Sequence, residues 1–414
     1  MWNKPYHEKV KVHSLYGHLM DMKRLRAAWK KVKSNDGAGG VDKVTIGMFE
    51  CQLDLQLKTL QRQLQEKTYR PQPVRRVPIE KVGSDKLRNL GIPTVRDRIV
   101  QQVVKDLLEP IFDPHFSARS HGYRAGHSQH GALDEVKIFR KPFDWVLDAD
   151  IKGFFDNVDH EILLDLVNER VSDGSILKLL RMFLESGVYF DGMVHPTDVG
   201  TPQGGVISPL LANIYLHHLD RQLTAEDIFF VRYADDMVVF CDSRADAEAT
   251  QRLIGEILEN ELHVELNAEK TKIVYLRYEK DVNGNLLPDY GPFEYLGFRV
   301  SRSGMSPCER SVKKFKDSIR DVTIRHRTYE TSWWIRTLNS KIRGWCNYFG
   351  YGTVKKIYRD LSGWIRTRVR LNLGSRKKSH IRYNGRCMKT LRQRYTNAVL
   401  RELGLITPDL LLDG

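Results

Sequence analysis

The feature that most constrains the fold of this 414-residue chain is an apolar stretch broken by two adjacent aspartates. Residues 229–240 read FFVRYADDMVVF, with Asp235 and Asp236 at the break. Apolar, β-forming residues on both sides of a short polar break predict a β-hairpin with the acids at its turn. An Asp-Asp turn alone is common on protein surfaces, because Asp tolerates tight turns. A functional interpretation therefore needs a second acidic element.

Residues 145–156 supply that second element, since they read WVLDADIKGFFD. An apolar strand that carries Asp150 can lie beside the hairpin in a shared sheet and bring the carboxylates together. Converging carboxylates repel one another, so we expect two Mg²⁺ ions as cofactors, for which Mn²⁺ can substitute. Two such ions, about 3.5–4 Å apart, would activate a primer 3′-hydroxyl and stabilise the leaving pyrophosphate.

The rest of the chain predicts an α+β fold. Residues 1–65 have a helical pattern with a loop at 35–40, and residues 69–94 form Pro-punctuated, strand-like runs before a helix from about 95 to 109. Further along, strands alternate with helices, which is typical of an antiparallel sheet covered on one side. The predicted strands are 145–147, 229–233, 237–240 and 293–300, and the predicted helices are 159–170, 208–223 and 244–261. Beyond about residue 308 the chain is helical and basic.

The charge balance indicates a polyanionic partner. The formal net charge is +14, which favours nucleic acid over a membrane surface. No apolar run is long enough to predict a membrane span, and residues 1–7 lack the pattern of a secretory signal. The cysteines are odd in number and never form a C-x-x-C pair, which argues against disulfides and zinc and favours a reducing interior; they are Cys51, Cys241, Cys308, Cys346 and Cys387.

Residues 233–236, YADD, resemble the catalytic box of reverse transcriptases, and five further blocks resemble the group II intron-encoded subfamily. They follow that family's order within roughly residues 12–370. They are RNLGIPTVRDRIVQ at 88–101, TPQGGVISPLLAN at 201–213, LNAEKTK at 266–272, FEYLGF at 293–298 and IRGWCNYF at 342–349. The last of these is similar to the maturase, or thumb, signature.

This resemblance implies a right-hand polymerase with fingers and palm, followed by an α-helical thumb and a basic C-terminal region. The implied boundaries are an N-terminal extension at 1–65, fingers at 66–142, a palm at 143–307, a thumb or maturase domain at 308–372 and a DNA-binding tail at 373–414. The chain is most similar to the bacterial class C short form. The zinc-bound endonuclease domain that some relatives carry is not expected in this chain.

The resemblance also assigns the catalytic residues. It implies that Asp150, Asp235 and Asp236 are catalytic and that the metal is bound at Asp150, Ile151 and Asp235. Two other acids are alternatives to Asp150 by proximity. Asp148 shares its strand face but precedes the matched position. Asp156 is expected to cap a helix that opens near residue 157.

The implied substrate-binding residues are Lys81, Arg88, Phe155, Gln203 and Lys270. Phe155 matches the aromatic that excludes a ribose 2′-hydroxyl, with Phe154 as its rival. The cations at 81 and 88 would neutralise the dNTP triphosphate. The spacing of seven residues between them is one longer than the family spacing would imply. Lys86 therefore remains a competitor for the phosphate-binding role. Lys270 would act as a general acid toward pyrophosphate, or is simply an exposed lysine after a turn.

The basic helices indicate which nucleic acids bind. Aromatic residues of the thumb would pack its helices, while cations such as Arg343 would face a duplex. Between residues 366 and 394 there are eleven Arg or Lys and no acid, including Arg376, Lys377 and Lys378. The expected partners are group II intron RNA, an RNA template with a DNA primer, target DNA and dNTPs.

The resulting hypothesis is an RNA-directed DNA polymerase that binds its own intron RNA, assists splicing and copies RNA into cDNA during intron mobility. Its expected location is the bacterial cytoplasm, at DNA targets in the nucleoid. One alternative is a splicing-only RNA-binding maturase, against which the intact triad of aspartates speaks. The other is a domesticated reverse transcriptase in DNA repair or phage defence, which flanking intron sequence would decide.

Overall fold

The computed structural model describes residues 11–80, 87–277, 289–324, 330–375 and 385–412. The chain divides into two compact units. Unit 1 comprises residues 1–275 with 287–289, and unit 2 comprises residues 276–286 with 290–414. The observed mixture of helices and antiparallel sheets confirms the predicted α+β class. The finer boundaries of fingers, palm, thumb and tail stay a prediction.

Ten α-helices lie in the described part of unit 1. They are α1 (Met22–Asn35), α2 (Ile46–Cys51), α3 (Leu53–Gln65), α4 (Val95–Phe112), α5 (Gln129–Phe139), α6 (Phe154–Asn157), α7 (His160–Asn168), α8 (Gly174–Leu184), α9 (Ser208–Ala225) and α10 (Arg244–Asn260). Most begin where a short polar side chain accepts a hydrogen bond from a free N–H of the first turn. The capping residues are Asp21, Thr45, Thr94, Ser128, Asp159, Asp173 and Ser243.

The strands of unit 1 form two sheets. In chain order they are β1 (Val74–Glu80), β2 (Leu87–Ile92), β3 (Trp145–Asp150), β4 (Val188–Phe190), β5 (Met193–His195), β6 (Phe229–Tyr233), β7 (Asp236–Cys241) and β8 (Lys272–Tyr275). One sheet has the order β2-β1-β4-β5, in which only β1 and β4 are parallel. The other, β6-β7-β3-β8, is fully antiparallel.

The β6-β7-β3-β8 sheet is anchored in the core of unit 1. Val146, Leu147 and Ala149 of β3 are buried, as are four successive residues of β7 from Met237 to Phe240. Helix α9 is buried along most of its length, including Leu211. Burial of each large aliphatic side chain contributes about 1.5–3 kcal/mol, so the strands that carry the aspartates have a rigid base.

Unit 2 contains one small sheet and the basic helices. Its described elements are β9 (Phe293–Tyr295), β10 (Phe298–Val300), β11 (Met305–Pro307), α11 (Glu309–Val322), α12 (Thr331–Phe349), α13 (Lys355–Ser375), α14 (Gly385–Arg394) and α15 (Asn397–Glu402). The three strands are antiparallel in the order β11-β10-β9. None of the helices in the described parts of either unit has the length and apolar character of a membrane span.

The prediction of one strand over residues 293–300 was wrong. The segment is a hairpin in which Tyr295 of β9 pairs with Phe298 of β10. Leu296 and Gly297 form its turn with φ angles of 48° and 80°. A two-residue turn of this hand matches the twist of the flanking strands. The apolar run concealed the turn because Leu296 is an unusual residue in the left-handed region.

The end of the described chain folds back onto unit 2. The guanidinium of Arg366 on α13 forms an ion pair with Asp409. Asn339 on α12 accepts a hydrogen bond from Ile406 N at 2.9 Å and donates one to Gly404 O at 2.7 Å. Leu400 is buried in the same apolar cluster as helices α12 and α13. Part of the predicted tail is therefore packed against the helices of the predicted thumb.

Candidate active site

The predicted acidic hairpin is present, and its turn lies at one end of the β6-β7-β3-β8 sheet. Tyr233 of β6 pairs with Asp236 of β7, so Ala234 and Asp235 form a two-residue turn. In the adjoining strand, Asp150 is the cross-strand partner of Asp236. Directly opposed residues of an antiparallel pair have Cβ atoms about 4.5–5.5 Å apart on one face of the sheet. Three aspartates separated by up to 86 positions in sequence thus converge on one sheet end.

Asp150 is held by residues that follow α10. Lys270 Nζ lies 2.5 Å from Asp150 Oδ2 in an ion pair, and Asn267 Nδ2 donates to the same oxygen at 3.0 Å. Asn267 N also donates to the main-chain oxygen of Asp150 at 2.8 Å. These contacts fix both the backbone and the carboxylate of Asp150, and they place a cation against it.

The two alternatives to Asp150 have different surroundings. Asp148 lies two residues earlier on β3, opposite Val238 and Lys272, and therefore shares the face of Asp150. Asp156 is exposed within the short helix α6. The expectation that Asp156 caps the next helix was wrong. Asp159 has that role, since its Oδ1 accepts hydrogen bonds from the N–H groups of residues 161 and 162 at the start of α7.

The two adjacent phenylalanines after β3 differ in burial. Phe154 is 2% exposed and packs its ring 6.1 Å from that of Tyr215 in the core. Phe155 is partly exposed at the edge of that core. Ile151, also in the core, forms an isolated antiparallel bridge with Leu266.

The loop that contains Gln203 is bonded to both neighbours of the site. Thr201 N donates to Phe155 O at 2.7 Å, and Gly91 N of β2 donates to Gln203 O at 2.7 Å. A Cβ on Gly204 would lie 2.6 Å from Gly91 O, so this approach requires glycine. The loop thereby joins the segment of Phe155 to the strand that carries Arg88.

The Ser208 side chain does not cap α9. Ser208 is the first helical residue, Ile207 precedes it as the cap position, and Pro209 follows within the first turn. The Ser208 hydroxyl instead donates to Pro202 O at 3.0 Å. Val206 N donates to Gln101 Oε1 of α4 at 2.8 Å, which ties the same loop to a second helix.

The structure describes only one of the predicted triphosphate-binding cations, and only its backbone. Arg88 lies in β2, where its backbone pairs with Ile79 of β1. Lys81 and its competitor Lys86 lie outside the described residues, as do Arg376, Lys377 and Lys378 of the basic run.

Helix α12 of unit 2 buries some of its aromatic side chains and exposes a cation. Trp334 is buried on α12 and donates from Nε1 to Val322 O at 2.6 Å. The Trp345 ring stacks on Phe315 with a centroid distance of 4.6 Å. Arg343, on the same helix α12, is exposed to solvent.

A buried polar network beneath the turn was not predicted. It joins Arg232 of β6 to Asp220 and Asn213 of α9. A charged residue inside the apolar run 229–233 was the one signal in the sequence that pointed to it. Its partners could not be found from the sequence, since they lie 12 and 19 positions away on a helix.

The site thus combines paired acids on adjoining strands with a loop that requires glycine. Comparison with known families shows which class of protein has such a site. The family described as reverse transcriptase (RNA-dependent DNA polymerase) matches residues 79–300, more than half of the chain. The group II intron, maturase-specific domain matches residues 312–395. The chain therefore belongs to the group II intron-encoded reverse transcriptase and maturase family. It is an RNA-directed DNA polymerase.

Two bacterial relatives show the extent of the similarity. The group II intron-encoded protein LtrA of Lactococcus lactis subsp. cremoris is 30% identical over 436 residues, and the match covers 81% of this chain and 70% of LtrA. Protein YkfC of Escherichia coli (strain K12) is 34% identical over 276 residues, which covers 57% of this chain and 72% of YkfC.

Solved structures show a more remote likeness. A partial Cas6-RT-Cas1–Cas2 complex aligns with 60% of this chain at a TM-score of 0.39 and 22% identity. The aligned region spans 43% of that chain. So remote a likeness does not bear on activity.

Proposed function

We propose that the chain copies RNA into DNA by two-metal nucleotidyl transfer, with Asp150 and Asp235 as the direct metal ligands and Asp236 completing the acidic cluster. The observation that carries this proposal is the cross-strand pairing of Asp150 with Asp236 beside the turn that holds Asp235. Reverse transcriptases generally use divalent metal ions. Carboxylate oxygens on one sheet face are the donors that Mg²⁺ prefers.

The residues around Asp150 bear on whether a divalent cation fits this site. Among the described residues, no group of three or more His, Cys, Asp or Glu side chains is arranged to hold a metal as it stands. However, Lys270 already holds a positive charge against Asp150 Oδ2. A carboxylate that pairs with a half-exposed side-chain cation is suited to a divalent metal that arrives with the substrate. Bound there, the ions would supply Lewis acidity at the attacking and leaving oxygens.

The bonded neighbours of the site support the proposed nucleotide pocket. Phe155 is the aromatic that is free of the deep core, and it would pack against the sugar where a 2′-hydroxyl would clash. Gln203 would contact the nucleotide from a loop fixed to Gly91. Arg88 and Lys81 would neutralise the triphosphate, since Arg and Lys bind phosphate through charge-assisted hydrogen bonds.

Lys270 has a second role in this proposal. Its Nζ lies at the carboxylate that would bind metal. A pyrophosphate leaving from that metal would pass close to this ammonium. Release of Asp150 to the metal would free the ammonium to donate a proton to the pyrophosphate oxygen. Lys270 therefore acts as a counter-ion before the substrate binds and as a general acid afterwards.

The RNA partner follows from unit 2. A maturase-specific domain matches most of its helices, and the relative LtrA is named as a group II intron-encoded protein. Exposed cations such as Arg343, with the run Arg376, Lys377 and Lys378, would bind the phosphates of intron RNA and target DNA. The chain would thus assist splicing of its own intron and copy it during mobility in the bacterial cytoplasm.

Primer extension on an RNA template tests the polymerase mechanism. Asp150→Asn and Asp235→Asn should each reduce DNA synthesis by at least about 1,000-fold in Mg²⁺, because each removes a metal-binding charge. Asp242→Asn is the matched control, since Asp242 is an exposed acid just beyond the opposite end of β7. Full activity of either active-site variant would overturn the metal assignment.

Splicing of the flanking intron RNA tests the second half separately. The Asp235→Asn variant should still stimulate splicing, because RNA binding by unit 2 does not need the carboxylates. A chain that extends primers but neither binds nor splices intron RNA would support the domesticated enzyme instead.

A further inference from the structure

The strand that leads into the catalytic turn contains a fully buried ion pair. The Arg232 side chain is 1% exposed and that of Asp220 is 0% exposed. Arg232 Nε and Nη2 donate to the two carboxylate oxygens of Asp220 at 2.7 and 2.5 Å. Burying an ion pair costs desolvation energy that the attraction only partly returns, so such a pair is weak evidence for stability. A role in fixing geometry explains it better.

The remaining nitrogen of this guanidinium contacts the turn itself. Arg232 Nη1 donates to Ala234 O at 2.8 Å and to Asn213 Oδ1 at 3.1 Å. Ala234 has φ of 58°, a left-handed conformation that is about 1–2 kcal/mol unfavourable for a residue with a Cβ. Its carbonyl belongs to the peptide that continues into Asp235. Arg232 therefore holds the strained residue Ala234 by its carbonyl. The same peptide group leads into Asp235, which carries the proposed metal-binding carboxylate.

The backbone of Gly122 also lies against the turn. Asn213 Nδ2 donates to Gly122 O at 2.7 Å. A Cβ added to Gly122 would lie 2.2 Å from Ala234 N. The φ of Gly122 is not in the left-handed region, so this close approach to backbone, and not conformation, excludes a larger residue. The Ala234 residue of the turn is thus contacted both by Gly122 and by the guanidinium of Arg232.

The polar groups of this network are directed at backbone and at one another. The Arg232 main chain is also fixed, since its N donates to Arg119 O at 2.9 Å and its O accepts from His121 N at 2.8 Å. Asn213 bonds Arg232 on one side and Gly122 on the other. These contacts account for the guanidinium without any need for a substrate.

From this geometry we infer that Arg232, Asp220, Asn213 and Gly122 are positioning residues that set the Asp235 carboxylate against that of Asp150. The inference rests on the proposed metal site. Productive metal and catalytic geometry tolerates errors of only about 0.5 Å, and a displacement of about 1 Å can reduce rates about 100-fold. Loss of the network should therefore impair metal binding and chemistry before it impairs nucleic-acid binding.

Two variants disturb the turn by independent routes. Arg232→Lys keeps the charge but removes the planar fork that bonds Asp220 and Ala234 at once. Gly122→Ala leaves the ion pair intact and pushes on Ala234 N. The controls are Arg140→Lys, at another buried arginine, and Gly255→Ala, at a helical glycine with open space around it. Asn213→Ala is a third route should Arg232→Lys fail to fold.

The full-length variants are compared in four measurements: Mn²⁺ binding by electron paramagnetic resonance, single-turnover incorporation at saturating dNTP, primer–template affinity and thermal unfolding. We expect Mn²⁺ affinity to fall about tenfold and the incorporation rate about 100-fold. Primer–template Kd should stay within about twofold of wild type, as for both controls. A merely structural role would lower all activities in proportion to the folded fraction.

The outcomes separate this inference from the metal proposal. Folded Arg232→Lys and Gly122→Ala proteins with wild-type Mn²⁺ affinity and incorporation rate would overturn the positioning role alone. If wild type and Asp235→Asn bind Mn²⁺ with the same affinity, the metal proposal itself is overturned.

Discussion

Lys270 Nζ lies 2.5 Å from Asp150 Oδ2, so a side-chain cation already neutralises one carboxylate of the candidate metal site. The lysine side chain is 52% exposed. Ion pairs exposed to this degree contribute about 0–1 kcal/mol. An interaction this weak can hold the apo site together and still give way to a divalent cation.

Lys270→Met should consequently bind Mn²⁺ about two- to fivefold more tightly than wild type, since about 1 kcal/mol of competing attraction is removed. Its incorporation rate should nevertheless fall if Lys270 is the general acid that we propose, because the variant cannot donate a proton to the pyrophosphate. Titration by electron paramagnetic resonance measures the first effect and single-turnover kinetics the second. Lys272→Met, at an exposed lysine on β8, is the control. Unchanged Mn²⁺ affinity would mean that Lys270 does not compete for the site.

Phe155→Ala should allow ribonucleotides to be incorporated, with discrimination between dNTP and rNTP reduced about 10- to 100-fold. The expected cause is loss of the ring beside the sugar. Ratios of kcat/KM for a matched dNTP and rNTP measure the effect. Phe154→Ala is the comparison, because its buried ring should instead cost about 3–5 kcal/mol of stability. If only Phe154→Ala reduced the discrimination between dNTP and rNTP, Phe154 and not Phe155 would be the residue beside the sugar.

Gly204→Ala should raise the KM for dNTP and destabilise the fold by about 1–3 kcal/mol. The new Cβ would clash with Gly91 O and break the hydrogen bond from Gly91 N to Gln203 O. Gly192→Ala separates strain from contact, since Gly192 also has a positive φ but nothing near its Cβ position. Steady-state kinetics and urea unfolding measure the two effects. Equal dNTP KM values in both variants would argue against a nucleotide role for this loop.

His217 should make stability depend on pH. Burial lowers the pKa of His217 to about 4, and its Nδ1 has no hydrogen-bond partner in the described part of the chain. Between pH 6.5 and about 4 the unfolded chain binds a proton at His217 that the folded chain does not. His217 therefore has no pH-linked effect above about pH 6.5, and the folded state loses stability as the pH falls from 6.5 toward 4.

His217→Gln should remove this dependence, so its free energy of unfolding should fall up to about 3 kcal/mol less than that of wild type between pH 7.5 and 4. Urea unfolding at a series of pH values measures the difference. His195→Gln, at an exposed histidine on β5, should follow wild type. Parallel pH profiles for wild type and His217→Gln would contradict the assignment.

Local pattern was enough to predict the hairpin of Asp235 and Asp236, because apolar strands and a tight turn are encoded within twelve residues. The β4–β5 hairpin was missed although Asp191 and Gly192, both with positive φ, are a strong turn signal. Its strands are short and exposed, so they lack the alternating burial that marks a strand in sequence.

The contacts that organise the candidate site could not be predicted in the same way. The bond from Gly91 N to Gln203 O and that from Asn213 Nδ2 to Gly122 O each join residues about a hundred positions apart. Such pairs are set by how helices pack on the sheet, and single-residue propensity carries no information about them. Residue patterns alone left several acids as candidates for the same role. The resemblance to a known family was needed to choose among them.

The backbone of residues 119–121 runs alongside β6, the outer strand of the catalytic sheet. A strand with one free edge can shift along its neighbour, and a shift of one residue turns each side chain to the opposite face. In β6 that shift would exchange the orientations of Arg232 and Tyr233. The hydrogen bonds that join Arg232 to Arg119 and His121 thus give β6 pairing on both of its edges and favour a single register.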